Sequence, residues 1–240
     1  MNSFTIKVAG QIIEIATLHA RPLVICRDFI VDGIPSFRIS TTQEDIDFER
    51  EKCRFARDDE PTDQELEVTA LLRKISEGIV DYGAFVMHGA VIAFENKAYL
   101  FTGKSGTGKS THIYLWKKNL PNAYIVNGDK PFILAGETPM ACGSPWTGKE
   151  GVFTNTMVPL AAIVVMERSE NNDMRRISFS EAFPTLFQQI YRPADGLRMR
   201  KTLDMLKALN GKVAFYRFKF NNLKDDCFEV AYTSLVGERK

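Results

Sequence analysis

The feature that most constrains this chain is the run Gly103-Lys104-Ser105-Gly106-Thr107-Gly108-Lys109-Ser110, which fits G-x-x-x-x-G-K-[ST] at every position. A run of this kind needs a strand before it and a helix behind it. The apolar stretch Ala98 to Thr102 supplies the strand, and Ile113, Leu115, Trp116 and Leu120 give the following segment an apolar helical face. In that setting the glycines let backbone N–H groups converge on phosphate oxygens, and the helix adds the positive end of its dipole. The run therefore reads as a phosphate-binding loop of the Walker A type, with Gly103 through Thr111 forming the nucleotide cradle. The pattern assigns Lys109 to the β- and γ-phosphates, and the Ser110 hydroxyl to the Mg²⁺ that travels with ATP.

The rest of the composition narrows the partners. The 240 residues suffice for one large domain, or for a core domain with a small accessory one. A net charge of +1 gives no electrostatic reason to expect nucleic acid or an anionic membrane as the main partner. The longest apolar runs, such as Leu160 to Met166, are too short to span a bilayer, and the N-terminus lacks the basic-then-apolar order of a secretory signal. A cytoplasmic protein is the expectation. Cys26, Cys53, Cys142 and Cys227 form no C-x-x-C pair and read as buried or idle thiols, while His19, His88 and His112 lack metal-ligand spacing.

Along the chain, Phe4 to Val8 and Ile12 to Ile15 alternate about a turn at Ala9-Gly10-Gln11 and predict a hairpin. Leu23 to Val31 fits a helix or a strand, Ser36 to Ser40 an extended segment, and Gln43 to Phe55 a charged stretch with few apolar anchors. Turn chemistry at Arg57 to Asp63 precedes a helix from about Gln64 to Ile79. From Phe85 apolar runs alternate with turns. Phe85 to Phe94 reads as one strand, Glu95-Asn96-Lys97 as a hairpin turn into the pre-loop strand, and Tyr124 to Val126 as a strand running into Asn127-Gly128-Asp129. Further strands are expected at Leu160 to Met166 and Val213 to Phe220, with helices at Glu181 to Tyr191, Leu197 to Leu209 and Leu223 to Leu235. Because a hairpin precedes the loop strand, the fold class is α/β with a mixed, partly antiparallel sheet and flanking helices. Residues 1–80 read as a small α+β accessory region with no catalytic cluster, and residues 81–240 as the unit that carries the loop.

A phosphate loop that supports chemistry also needs a carboxylate for the metal and a group that orients or deprotonates an attacking hydroxyl. Asp129, at the end of a short apolar strand one helix after the loop, is the candidate Mg²⁺ ligand beside Ser110. His88 precedes Gly89 on an apolar strand, and both a hydrogen-bonded core role and a catalytic one fit it. Thr111 and His112 lie in the first turn of the loop helix, and both read as helix-surface or packing residues rather than chemistry. Gly143 to Gly151 combines three glycines with Trp146, Lys149 and Glu150. It reads either as a site loop, with Lys149 at the phosphate and Glu150 orienting an acceptor or water, or as a surface loop with a partly buried Trp.

The sequence His88-Gly89-Ala90-Val91, the hairpin, the loop Gly103 to Thr111 and the strand into Gly128-Asp129 together resemble the core of the HPr kinase/phosphorylase family. The wider superfamily includes the ATP-dependent phosphoenolpyruvate carboxykinases. Asn127-Gly128-Asp129-Lys130-Pro131 and Gly143 to Glu150 look most like blocks of the smaller bacterial HPr-kinase-like proteins, peptide kinases among them. The resemblance covers about Phe85 to Glu167, and more loosely the chain to Val236. It implies an ATP-dependent kinase that moves the γ-phosphate of Mg-ATP to a hydroxyl on a peptide, a protein or a small molecule, and assembly of copies of the chain into a homo-oligomer. It also implies that Lys109 polarises the phosphates, Ser110 and Asp129 hold Mg²⁺, and His88 lies in the catalytic pocket. One position departs. HPr kinases end this strand in two adjacent aspartates, the first acting on the attacking hydroxyl, and Gly128 stands at that first position. The missing base leaves His88, Glu150 or an acceptor-side group to replace it, or a loose transition state in which positioning suffices. It also leaves open a nucleotide-binding regulatory module with little or no phosphotransfer.

Overall fold

The structure is a computed structural model that describes residues 2–53, 60–148, 151–221, 223–224 and 226–237. The first part of the chain is a small layer. Strands β1 (Asn2–Val8) and β2 (Gln11–Thr17) form the expected hairpin, closed by Ala9 and Gly10 at φ of 48° and 80°, the left-handed pair that a two-residue turn requires. Alternation along both strands buries Phe4, Ile6, Val8, Ile13 and Ile15. The ambiguous stretch that follows is helical at α1 (Arg21–Cys26), where Pro22 occupies the first turn and needs no N–H partner. Strand β3 (Phe37–Ser40) joins β2 in parallel. Helix α2 (Gln43–Cys53) packs on α3 (Asp63–Gly78), and α3 packs against the layer. Helix α3 begins one residue before the expected start because Thr62 caps it, in a reciprocal box with Glu65.

The remainder runs β4 (Ala84–Val86), β5 (Gly89–Phe94), β6 (Lys97–Thr102), α4 (Lys109–Asn119), β7 (Tyr124–Asn127), β8 (Phe132–Leu134), β9 (Met140–Cys142), β10 (Met157–Arg168), β11 (Asp173–Ile177), α5 (Phe179–Gln189), α6 (Gly196–Ala208), β12 (Ala214–Phe220) and α7 (Cys227–Leu235). Its strands form one nine-stranded sheet in the order β4-β8-β9-β10-β6-β5-β7, with β12 beside β10 and β11 beside β12. Strand β10 lies parallel to β6 and β12, and the other pairs are antiparallel. The fold is thus α/β with a mixed sheet, as the hairpin before the loop requires. Phe85 to Phe94 is a single apolar run but not a single strand. It breaks at Met87-His88, because β4 pairs with β8 while β5 pairs with β6 and β7.

Apolar residues on the central strands alternate between two cores. Val91, Leu100, Ile163 and Val165 face α5 and α6, whereas Ile92, Phe101, Val164 and Met166 face α4 and α7. Burial on both faces is why these strands read as unbroken apolar runs. A third core joins Ile6, Ile13, Leu71 and Ile75 of the N-terminal layer to Val86, Phe132 and Cys142 of the large sheet and Trp146 of the loop after β9. Among the described residues no helix is long and apolar enough to cross a membrane.

Candidate functional site

The glycine-rich loop leaves the end of β6 and closes on the N-terminus of α4. Gly103 sits at φ 145°, and a Cβ there would lie 2.6 Å from the carbonyl oxygen of Met166, so both conformation and space demand glycine. Gly108, at φ 97°, caps α4 above the ring of Phe220. Thr107 Oγ1 donates to the carbonyl of Lys104 (2.9 Å), and Arg168 Nε, from the end of β10, donates to the carbonyl of Gly106 (2.8 Å). The Lys109 ammonium is buried and donates to the carbonyls of Gly103 (3.0 Å) and Lys104 (3.1 Å). Burial lowers its pKa, with nearby Asp129 opposing the shift.

A second strand end brings the acid. Asn127 is fully buried where β7 stops, and its Oδ1 accepts from the backbone N–H groups of Asp129 (2.8 Å) and Lys130 (2.7 Å). Its Nδ2 donates to the carbonyl and hydroxyl oxygens of Ser144, each at 3.0 Å. Held by this turn, the Asp129 carbonyl accepts from Gly89 N (2.9 Å), which sets Asp129 beside His88. The Thr102 hydroxyl donates to the His88 carbonyl (2.7 Å) and ties that residue to the strand before the loop. His88 Nε2 lies 3.2 Å from Asp129 Oδ1, and Lys130 Nζ lies 3.4 Å from Asp129 Oδ2. Burial works against the Asp129 charge, but the His88 bond and the Lys130 ammonium outweigh it and hold the carboxyl below the ordinary aspartate range.

These groups share one cleft of about 760 Å³. Its wall includes His88, Ser105 to Thr111, Gly128, Asp129, Gly148, Arg168 to Glu170, Phe220, Asn221 and Leu223. Of the residues expected from the sequence, His88, Ser105, Gly106, Thr107, Gly108, Lys109, Ser110, Thr111 and Asp129 thus meet at one place. Gly103 and Lys104 stand behind the loop, Gly103 against β10 and Lys104 at a neighbouring cleft of about 500 Å³ that runs toward α5. Lys149 and Glu150 lie outside the described residues. The loop before them has two ends of different character. Gly148 reaches the cleft, whereas Trp146 is buried away from it and donates through Nε1 to the carbonyl of Val68 in α3 (3.1 Å). His112 packs between Phe101 and Phe218, in the core beneath the loop.

Position 128 explains itself locally. A Cβ on Gly128 would lie 3.1 Å from the carbonyl oxygen of Thr147 and 3.5 Å from that of Val152, so the backbone of the following loop crowds any side chain there. Arg168, Asn127 and Gln189 complete the site; of these the sequence pointed only to Asn127, as part of the block around Asp129 and without a role. Arg168 could have been singled out, because the C-terminal end of a strand parallel to the loop strand is where α/β sheets gather ligand contacts.

No protein-family model matches the chain, and no curated protein does. Among solved structures, the Hpr(Ser) kinase/phosphatase from Coxiella burnetii aligns over 52% of this chain and 90% of its own, at 12% identity and a TM-score of 0.31. That is a distant likeness, and function rests on the residues of this chain.

Proposed function

We propose that the chain is an ATP-dependent phosphotransferase that moves the γ-phosphate of Mg-ATP to a hydroxyl on a peptide, a protein or a small molecule. The observation that carries this reading is the meeting of Lys109, Ser110 and the His88–Asp129 pair on one cleft. The residues present fit a magnesium nucleotide. The loop is fixed by positive-φ glycines, Lys109 is a buried cation, and Asp129 is a charged acceptor still partly open to solvent. A Mg²⁺ that arrives with phosphates needs only one or two protein ligands, which Ser110 and Asp129 would supply.

Bound Mg-ATP would bring the transferable phosphoryl group and the neutralising charge. The protein's own part is positioning. Loop N–H groups and the start of α4 bind the phosphates, Lys109 polarises them, and the Asn127 turn aims Asp129 at the same space. With Gly128 in place of an acid, orientation of the acceptor falls to Asp129. Incubation with Mg-ATP and a panel of serine, threonine and small-alcohol acceptors, read by mass spectrometry, should give a phosphoryl gain on at least one, and Lys109→Ala should abolish it. No gain across the panel would sink the reading. The lack of an acid at Gly128 favours one alternative, a regulatory module that binds Mg-ATP without turning it over. Calorimetric binding of Mg-ATP with no product formed would select it.

A further inference from the structure

Gln189 holds His88 twice. Its backbone carbonyl accepts from His88 N at 2.7 Å, and its side-chain Oε1 lies 2.8 Å from His88 Nδ1. The register around this contact is fixed. Helix α5 ends at Gln189, extended Ile190 bridges Met87, and Tyr191 N donates to the carbonyl of Val86 (2.8 Å). On the other side of the ring, Nε2 faces Asp129 Oδ1. An ionised carboxylate only accepts, so Nε2 must carry a hydrogen for that contact to be a bond. In the neutral ring this leaves Nδ1 bare. A ring with hydrogens on both nitrogens donates to Gln189 Oε1 and Asp129 Oδ1 as they stand, and a neutral Nε2–H ring is served once the amide makes a half-turn and presents its NH₂, so Nε2 carries a hydrogen in either state. Both ring nitrogens are therefore taken by protein groups, and neither is free to receive a proton from an acceptor hydroxyl.

We propose that Gln189 is a positioning residue for phosphoryl transfer. By occupying Nδ1 it fixes His88 as the Nε2–H donor to Asp129 Oδ1, which leaves Oδ2, 3.4 Å from the Lys130 ammonium, as the oxygen that would serve the metal and the acceptor. His88 then acts on the acid rather than on the substrate. The catalytic use of this arrangement rests on the phosphotransfer reading, whereas the arrangement itself does not.

The test has two arms, both on the full chain. Nitrogen NMR of the His88 ring, without nucleotide and at one mildly alkaline pH, should report the Nε2–H tautomer in the wild type. Gln189→Met keeps the length of the side chain but not its hydrogen bond, and should give a tautomer mixture. Gln189→Leu should repeat that result, with the amide spectrum away from the site showing that both variants are folded. The Nδ1–H tautomer in the wild type, or unchanged tautomers in both folded variants, would overturn the proposal. In the second arm, transfer from Mg-ATP to the acceptor found in the panel, or to water, should fall roughly 10- to 100-fold in kcat for Gln189→Met with KM for ATP little changed. Equal kcat in variant and wild type would overturn the catalytic role. A wild type that transfers nothing would overturn the phosphotransfer reading and that role together, and the tautomer result would still decide the geometry.

Discussion

His112 sits one turn into α4 and never reaches the cleft. Its ring lies edge-on to Phe101, Phe218 and Phe220, with centroids 4.6, 5.1 and 5.3 Å away. Nε2 accepts from Trp116 Nε1 at 3.0 Å, so the single hydrogen of the neutral ring stays on Nδ1, which has no hydrogen-bond partner. Full burial depresses its pKa from 6.5 to about 3. The folded value lies below the unfolded one, so across that window the unfolded chain binds a proton that the folded chain refuses. Stability from this group is whole above pH 6.5 and falls as the pH drops toward 3, by up to about 1.4 kcal/mol per pH unit. Urea unfolding at two pH values inside the window should show that loss. His112→Gln keeps an acceptor for Trp116 without a titrating ring, and should flatten the slope even if its overall stability is lower. An equally steep slope in the variant would assign the acid sensitivity elsewhere. The same ring packs against Phe220, which also lies beneath Gly108, so this residue belongs to the floor on which the loop rests.

Among the elements, the segment from Gly143 to Gly148 couples the N-terminal layer to the acid turn. Trp146 Nε1 is anchored on Val68 of α3, while Ser144 Oγ donates to the carbonyl of Lys130 (2.7 Å) and accepts from Asn127. Removing the ring should therefore be felt at both ends. Trp146→Ala is expected to cost about 3–5 kcal/mol by denaturant unfolding, and Trp146→Phe much less; comparable losses would show that the indole N–H rather than its volume matters. This coupling also marks what the sequence could and could not disclose. The loop, the hairpin at Glu95-Asn96 and the apolar run of β10 were legible because each is fixed by local chemistry or by continuous burial. Strands β8 and β9, three residues each, and the break between β4 and β5 were not, since only their partners define them. The same holds for the site. Lys109, Ser110 and Asp129 stand at motif positions, whereas Gln189 meets His88 across a sequence separation of 101 residues and Trp146 meets Val68 across 78. No local pattern encodes such contacts.

At the scale of the whole molecule, the third core makes the N-terminal layer and the large sheet depend on one another, for Phe132 and Trp146 are buried in one cluster with Ile6, Leu71 and Ile75. A buried Glu67 adds to this within the layer, accepting from Leu18 N (2.6 Å), His19 N (2.9 Å) and the Thr41 hydroxyl (2.5 Å). Cooperative closure of this kind has a chemical side. An asparagine followed by glycine is prone to lose ammonia when the next backbone nitrogen attacks its side chain, and the chain has two such steps, Asn127-Gly128 and Asn210-Gly211. Asn210 is exposed in a turn, but all the side-chain atoms of Asn127 that attack would displace are engaged by Asp129, Lys130 and Ser144. Folded protein aged at neutral pH should therefore gain its one-dalton increments at Asn210, and chain held in urea at both sites, as peptide mapping would show. Equal loss at Asn127 in the folded state would mean that the turn opens on its own. An aspartate at 127 would face Ser144 with an acceptor where a donor belongs, so the turn that aims Asp129 also sets the shelf life of the site.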